Sequence, residues 1–292
     1  MADDDNIQSG GPQQDEGDGG KADYSLVIGI VIAFVGVIGG LYLEGSSVGK
    51  YVGPSAAVIV LGGTFGVTIG SVGLATFLNL PKTFLHAVQY QSMNRLRAIK
   101  TLVGFAEKAR REGLLVLEDD LRDTQDDFLR RGVQLVVDGT DPELVKEILR
   151  TEVDSLYEER HQSAKTWEMM GGYAPTLGIV GTVIGLVLVL SNISDPSSLA
   201  ASIAVAFIAT LYGVGSANLI FLPVGAKLQG CADDEVAGKE LLIEGILAIQ
   251  SGDNPRIVEE KLVAFLTIKQ RSDYRAAQAG SGGGDAEMDL AA

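Results

Sequence analysis

Two threonines lie in long apolar stretches where their hydroxyl groups could ligate a cation. Thr182 belongs to the stretch 171–190 and Thr210 to the stretch 199–224, and both stretches lack Asp, Glu, Lys, Arg and His. Hydroxyl and backbone oxygens are ligands that a hard cation accepts in place of water. Alternatively, each hydroxyl bonds the carbonyl four residues earlier in its own helix. Thr182 and Thr210 are therefore candidate residues of an ion path.

Small residues accompany both threonines. On helical spacing, one face of the stretch 199–224 carries Ser202, Ala206, Thr210, Gly213 and Ala217. In the stretch 171–190, Gly181 and Gly185 lie four residues apart. Small residues at this spacing let helix backbones approach closely, either within one chain or between subunits. The pattern predicts a narrow, partly polar strip along these segments.

Pro175 and Pro223 lie near the ends of the same two stretches. A proline inside a helix removes a backbone hydrogen bond and bends the helix. Such bends could transmit movement out of the apolar segments, or the prolines could simply mark where those segments end. The residue pattern favours neither interpretation over the other.

The composition excludes several classes of function. The only histidines are His86 and His161, Cys231 is the sole cysteine, and no phosphate-binding Gly-x-x-x-x-Gly-Lys-Ser/Thr loop is present. We therefore expect no enzyme activity, no metal site and no bound cofactor. The net charge of -15, without a basic surface motif, argues against nucleic-acid binding.

The elements that must position these residues are membrane helices. Four charge-free stretches are close to or longer than the roughly 20 residues that a helix needs to cross a bilayer. They are residues 25–43, 52–80, 171–190 and 199–224. We predict an all-α membrane protein with four transmembrane helices, a large helical cytoplasmic loop and C-terminal cytoplasmic helices.

The positive charges indicate the orientation of the chain in the membrane. Residues 81–168 contain 14 Lys and Arg residues and 7 more follow residue 224, against one in the loop 44–51. Cytoplasmic segments carry the excess of positive charge. We therefore place the loop 81–168, the C-terminal region 225–275 and both termini in the cytoplasm.

The cytoplasmic regions contain two helix-start signals. Asp141 precedes Pro142 and Asn254 precedes Pro255, and each pair combines a capping side chain with proline at the first helical position. The second signal predicts a helix over residues 257–268.

Another helix is predicted over residues 233–250. The ends of the chain are predicted to be disordered. Residues 1–23 are rich in Asp, Gly and Gln, and residues 276–292 are rich in Gly and Ala.

The spans lack a charged carrier. Proteins that move protons or cations usually have an ionisable residue at membrane depth, and none of the four stretches contains one. Either the chain transports no ion, or a partner helix supplies the carboxylate and this chain forms the wall of the path.

Several segments resemble motifs of the MotA/PomA family of flagellar stator subunits, and the similarity runs from residue 26 to residue 267. Residues 172–186 resemble the third-span signature of the family. Residues 204–213, followed by Asn218 and Pro223, resemble the fourth. Shorter similar segments are residues 62–64, residues 107–113 and the pair Leu117 and Glu118.

The resemblance implies a ring of five subunits around two copies of a MotB- or PomB-type partner, whose membrane helix carries an ion-binding Asp. The expected location is the bacterial inner membrane, the transported ion is Na⁺ or H⁺, and the rotor protein FliG is the second partner. The matched positions are Thr182 and Thr210 for the ion path, Pro175 and Pro223 for coupling, and Arg110 and Glu118 for the rotor interface. Opposite charges such as the last pair can meet complementary charges on a partner, although a solvated helix face is the alternative.

The resemblance favours sodium as the coupling ion, with protons as the second choice. Sodium-driven members are similar to this chain in having threonine at the positions of Thr182 and Thr210, whereas many proton-driven members have alanine at the former. Ala209 departs from this pattern, because several sodium-type members carry a second threonine there.

Two other functions compete with a stator. The related ExbB/TolQ proteins energise outer-membrane processes, but they usually have three spans. A membrane scaffold that conducts no ion is the alternative from a different class, and it predicts no ion flux with any partner.

Overall fold

The computed structural model describes residues 23–191 and 196–276, and within these ranges every regular element is a helix. Four helical segments are long and apolar enough to cross a membrane. The predicted fold class, an all-α membrane protein with four transmembrane helices, is confirmed. Of the two predicted tails, residues 1–22 and 277–292 lie outside the described residues.

The first span is the single helix α1, Ser25–Leu43. The second consists of α2, Pro54–Ala57, a π-helical segment, Val58–Gly62, and α3, Gly63–Val72. Gly73, at φ +83°, ends α3, because that backbone conformation cannot continue a right-handed helix. The second helix therefore stops short of the end of the apolar stretch 52–80.

Two short helices follow Gly73 and lead away from the second span. They are α4, Leu74–Leu78, and α5, Leu80–Gln89.

The third and fourth spans continue into the rest of the protein as long helices. α9 runs over Pro142–Ser191, and the Asp141 carboxylate accepts a hydrogen bond from the Glu143 amide at 3.0 Å. The cap predicted at Asp141 is confirmed. The 50 residues of α9 make a helix about 75 Å long at 1.5 Å per residue.

The fourth span comprises α10, Pro196–Ser216, a π-helical segment, Ala217–Phe221, and the start of α11, Leu222–Gln250. The separate helix predicted over residues 233–250 is therefore wrong. No proline lies between Pro223 and the end of α11 at Gln250, and buried side chains such as Leu228 and Leu241 continue on both sides of residue 233.

The remaining helices form a compact region that we call the head. It consists of α6 (Arg95–Glu112), α7 (Leu117–Asp123), α8 (Asp127–Val137), α12 (Pro255–Val263), the first half of α9 and the last part of α11. Its core contains fully buried Ile99, Leu102, Leu149, Leu241 and Ile246.

Asn254 caps α12, because its side chain accepts a hydrogen bond from the Arg256 amide at 3.1 Å. The cap is confirmed, but the predicted extent 257–268 is wrong. The helix ends at Val263, a non-helical turn follows, and residues 268–276 are helical again.

Candidate functional site

The third and fourth spans pack closely through glycines. A Cβ atom on Gly213 of α10 would lie 2.5 Å from the carbonyl oxygen of Ala174, and a Cβ atom on Gly185 of α9 would lie 2.7 Å from Ala206 Cβ. Larger residues at these positions would push the two backbones apart. The small-residue faces predicted on these segments therefore meet each other within one chain.

Thr182 and Thr210 meet in this contact. Their hydroxyl groups are hydrogen-bonded to each other across the two helices. The Thr182 hydroxyl also lies 3.0 Å from the carbonyl oxygen of Gly178 in its own helix and 3.1 Å from that of Ala206 in the facing helix. Both threonines are half-buried. Thr182 therefore makes the intrahelical contact that the sequence left open and bridges to the fourth span as well.

We call these four oxygens, the Thr182 and Thr210 hydroxyls and the Gly178 and Ala206 carbonyls, the oxygen cluster. They are the ligand type that a dehydrated hard cation prefers, but such cations usually take six or more ligands with negative charge among them. The cluster alone is therefore an incomplete site. Ala209 takes no part in it: the residue is fully buried, and its Cβ atom would be 2.6 Å from a Cβ placed on Gly181.

Pro175 and Pro223 mark two weakened helix segments that lie next to each other. Pro175 lies inside α9 and has no N–H for the carbonyl of Gly171. Pro223 is the second residue after the π-helical segment Ala217–Phe221, an irregularity that often accompanies a missing helical hydrogen bond. A Cβ atom on Gly171 would lie 2.4 Å from Leu222 Cδ2, so a bend in one helix must be accommodated by the other.

Arg110 and Glu118 lie on consecutive helices of the head, and both are exposed at its surface. Arg110 is in the last turn of α6 and Glu118 is in the first turn of α7, on either side of Gly113 at φ +89°. An ion pair between Lys108 and Asp120, at 2.6 Å, joins the same two helices. Among the described residues neither Arg110 nor Glu118 forms an ion pair, and both side chains are exposed. Both charges are thus available to a partner.

Sequence reasoning missed one basic residue of this surface. Arg110 lines a shallow groove with Arg111 and Arg256, and Arg256 comes from the distant helix α12. The only sequence signal was the cap at Asn254, which places Arg256 in the exposed first turn of that helix.

The oxygen cluster and the charged surface lie in different regions. The cluster is inside the span region, whereas Arg110 and Glu118 are on the head, and α9 and α11 are the two helices that run from one region to the other. The weakened segments at Pro175 and Pro223 interrupt these same two connections.

Comparison with known proteins gives a consistent result. The model of the MotA/TolQ/ExbB proton channel family matches residues 120–240. The chain is 40% identical to motility protein A of Borreliella burgdorferi, over 87% of this chain and 98% of that protein. It is 33% identical to the chemotaxis protein PomA of Vibrio alginolyticus, over 86% of this chain and 98% of that one.

Solved structures agree with the sequence matches. The structure of C. jejuni MotAB superimposes with a TM-score of 0.79 at 32% identity, covering 84% of this chain and 96% of that one. The flagellar MotAB stator complex from Bacillus subtilis also gives 0.79 at 32% identity, covering 85% and 98%. These relatives are channel proteins rather than enzymes, in agreement with the expectation from the sequence. This chain belongs to the MotA/TolQ/ExbB family and is a MotA-type stator subunit of the flagellar motor in the inner membrane.

Proposed function

We propose that this chain, with a MotB-type partner, conducts sodium ions into the cell and converts the flux into rotation against the rotor protein FliG. Five copies surround two copies of the partner, and both termini of the chain face the cytoplasm. The observation that carries the proposal is the contact between Thr182 and Thr210, which brings hydroxyl oxygens from two spans to one place.

A partner completes the ion site. The oxygen cluster has no charge, and the third and fourth spans have no carboxylate to add. One face of α9 carries large apolar side chains that are between 55% and 69% exposed, namely Ile179, Val183, Val187 and Leu190. A single apolar helix carrying one Asp could pack on such a face, and its carboxylate would supply the missing negative ligand.

The helices α9 and α11 transmit the movement. Binding and release of an ion beside Thr182 and Thr210 changes the local packing of two helices that are weakened at Pro175 and Pro223. Because both helices extend into the head, a change in their bend displaces the surface that carries Arg110. Charge complementarity at that surface then engages the rotor.

The distribution of positive charge supports the orientation. The head carries most of the Lys and Arg residues, whereas the loop 44–51 carries only Lys50. The positive-inside rule therefore favours a cytoplasmic head.

The test measures rotor speed in cells that carry this chain and its partner, with sodium replaced by potassium and with or without a protonophore. We expect speed to fall in potassium and to resist the protonophore. Thr182→Val keeps the side-chain shape but removes the hydroxyl, so it should stop rotation, whereas Thr182→Ser should retain it.

The matched control is Thr68→Val in the second span. Thr68 is fully buried, and among the described residues its hydroxyl bonds only the Thr64 carbonyl of its own helix, at 2.7 Å. Its loss should leave rotation intact. Rotation that ignores sodium but fails with the protonophore would assign protons instead, in line with the description of the family. No rotation and no ion flux in any medium would indicate a scaffold.

A further inference from the structure

The helix that carries Arg110 has no helical connection to a span. α5 ends at Gln89, α6 begins at Arg95, and residues 90–94 between them are not helical. In contrast, α9 and α11 continue from the membrane into the head without a loop. Movement of a span therefore reaches α6 through this non-helical linker and through contacts with neighbouring elements, and not along a continuous helix.

One carboxylate on α11 holds the linker between α5 and α6. Asp234 Oδ2 accepts hydrogen bonds from the Tyr90 hydroxyl at 2.8 Å and from the Ser92 hydroxyl at 2.6 Å. Its other oxygen, Oδ1, accepts one from Arg95 Nη2 at 2.6 Å, at the first residue of α6. The same guanidinium donates from Nη1 to the Phe265 carbonyl at 3.2 Å. Asp234 thus binds both ends of the linker.

The contacts of Arg95 and Tyr90 with Asp234 are partly buried, whereas the contact of Ser92 is exposed. The side chains of Arg95 and Asp234 are 14% and 30% exposed, and hydrogen bonds to charged groups are stronger in such surroundings than at an open surface. Burial, together with the hydrogen bond to Asp234, raises the pKa of Tyr90. The phenol therefore stays protonated and keeps donating to the carboxylate over the whole physiological pH range.

Neighbouring contacts join the part of α11 around Asp234 to the linker and to the third-span helix α9. A Cβ atom on Gly238, one turn after Asp234, would lie 3.0 Å from Met93 Cε of the linker. Glu235 accepts a hydrogen bond from Arg160 Nε of α9 at 3.2 Å. α9, α11 and the start of α6 are therefore joined at one level.

This level lies close to the weakened segment at Pro223 in the fourth-span helix. Asp234 follows Pro223 by 11 residues of continuous helix, about 16 Å at 1.5 Å per residue. A change of direction at Pro223 moves Asp234 as part of a rigid rod.

We propose that Asp234 is a positioning residue that couples the fourth-span helix to the rotor-facing helix α6, through its hydrogen bonds to Tyr90, Ser92 and Arg95. The inference rests on the proposed stator function and adds a route for the movement. Because Asp234 contacts the linker and not the oxygen cluster, the proposal requires that a variant of Asp234 can lose torque while the complex still conducts ions.

The test compares ion flux with torque in the assembled complex. Asp234→Asn keeps the shape but loses the charge that holds Arg95, so we expect torque to be lost while ion flux and the amount of chain in the membrane stay at the unaltered level. Glu152→Gln is the matched control. It breaks the ion pair between Glu152 and Arg131, at 2.9 Å, which also lies in the head but joins α8 to α9 rather than α6 to α11. It should leave both quantities unchanged.

Two outcomes would overturn the coupling role. Normal torque in Asp234→Asn would show that α6 moves without this clamp. Loss of torque together with ion flux or with membrane-inserted chain would assign Asp234 to the channel or to general stability. An absence of ion flux in the unaltered complex would instead contradict the proposed function.

A second measurement does not depend on motor function. Spin labels at Lys100→Cys on α6 and Glu240→Cys on α11, with Cys231→Ser, report the distance between the two helices in the purified chain. Both labelled residues are exposed. We expect Asp234→Asn to broaden the distance distribution and Glu152→Gln to leave it unchanged. An unchanged distribution in Asp234→Asn would contradict a clamp.

Discussion

The head and the four spans bury their large side chains to very different extents. In the head, Ile99, Leu102 and Ile246 are 0% exposed and pack in one continuous core. In the spans, Leu190 is 69% exposed and Phe207 is 71% exposed, while the contact between the third and fourth spans is formed by glycine, alanine and threonine.

The difference shows what each region needs in order to be stable. The head completes a hydrophobic core within one chain, as a soluble domain does. The spans gain nothing from hiding apolar side chains from lipid, so they associate through close backbone approach and a few hydrogen bonds. Their outward faces are left for lipid or for other chains, which agrees with a subunit that works in an assembly.

The largest single-residue effect on chain stability is expected in the head. Ile246→Ala should lower the free energy of unfolding by about 2–5 kcal/mol, because it removes a fully enclosed side chain and leaves a cavity. Unfolding of the detergent-solubilised chain, followed by circular dichroism at increasing urea concentration, measures the effect. A loss below about 1 kcal/mol would mean that the core of the head can collapse around the smaller side chain.

The second prediction concerns the close contact of the spans. Gly213→Ala should destabilise the chain by about 1–3 kcal/mol, as overpacking does, because its Cβ atom would lie 2.5 Å from the Ala174 carbonyl oxygen. The control is Gly215→Ala in the same helix, where, apart from the local helix backbone and the adjoining residues, no atom of the described residues lies within 4 Å of the new methyl group. Thermal unfolding of both variants in one detergent compares them. Equal melting temperatures would show that the helices can separate without cost.

The fold was largely predictable because most of its features depend on residues that are close in sequence. Long charge-free stretches give the spans, and the caps at Asp141 and Asn254 depend on the residue that follows each of them. The end of the second helix at Gly73 was not predicted, because glycine is frequent in membrane helices and only its backbone angle distinguishes this one. The continuity of α11 was also missed.

The site was only partly predictable, because it depends on packing between distant segments. The sequence could suggest that Thr182 and Thr210 share an ion path, but not that their hydroxyl groups touch. The contacts of Asp234 could not be predicted either, since Arg95 lies 139 residues away along the chain and nothing near Asp234 in sequence indicates a partner.

The third prediction tests an ion pair at the edge of the head. Asp253 accepts a hydrogen bond from Lys261 Nζ at 2.9 Å, and that ammonium, followed by the Ser251 hydrogen bond, holds the pKa of the Asp253 carboxyl below its usual value. A lowered pKa means that the stabilisation is present above the pKa of the unfolded chain, about 4, and is lost as the pH falls through the lower folded value.

The measurement compares the unaltered chain with Asp253→Asn between pH 7 and pH 3. The pair is partly exposed, with side chains 28% and 45% accessible, so we expect a difference of no more than about 1 kcal/mol at pH 7. This difference should begin to shrink as the pH approaches the unfolded value of about 4 and decline further as the pH falls towards the lower folded value. A difference that persists in acid would show that Asp253 acts through shape or capping rather than through its charge.

The smallest effect on chain stability is expected at Phe207, although its side chain is larger than that of Ile246. Phe207→Ala should change the free energy of unfolding of the isolated chain by no more than about 0.5 kcal/mol, because the ring is 71% exposed and contributes little to internal packing. If this face contacts another subunit or the partner helix, the same variant should lower the proportion of assembled complex after detergent extraction. Size-exclusion chromatography of the extracted complex measures that proportion. If Phe207→Ala leaves both the assembly and the stability of the chain unchanged, Phe207 faces lipid. If instead the isolated chain is destabilised, the spans bury more of their large side chains within one subunit than their exposed fractions indicate.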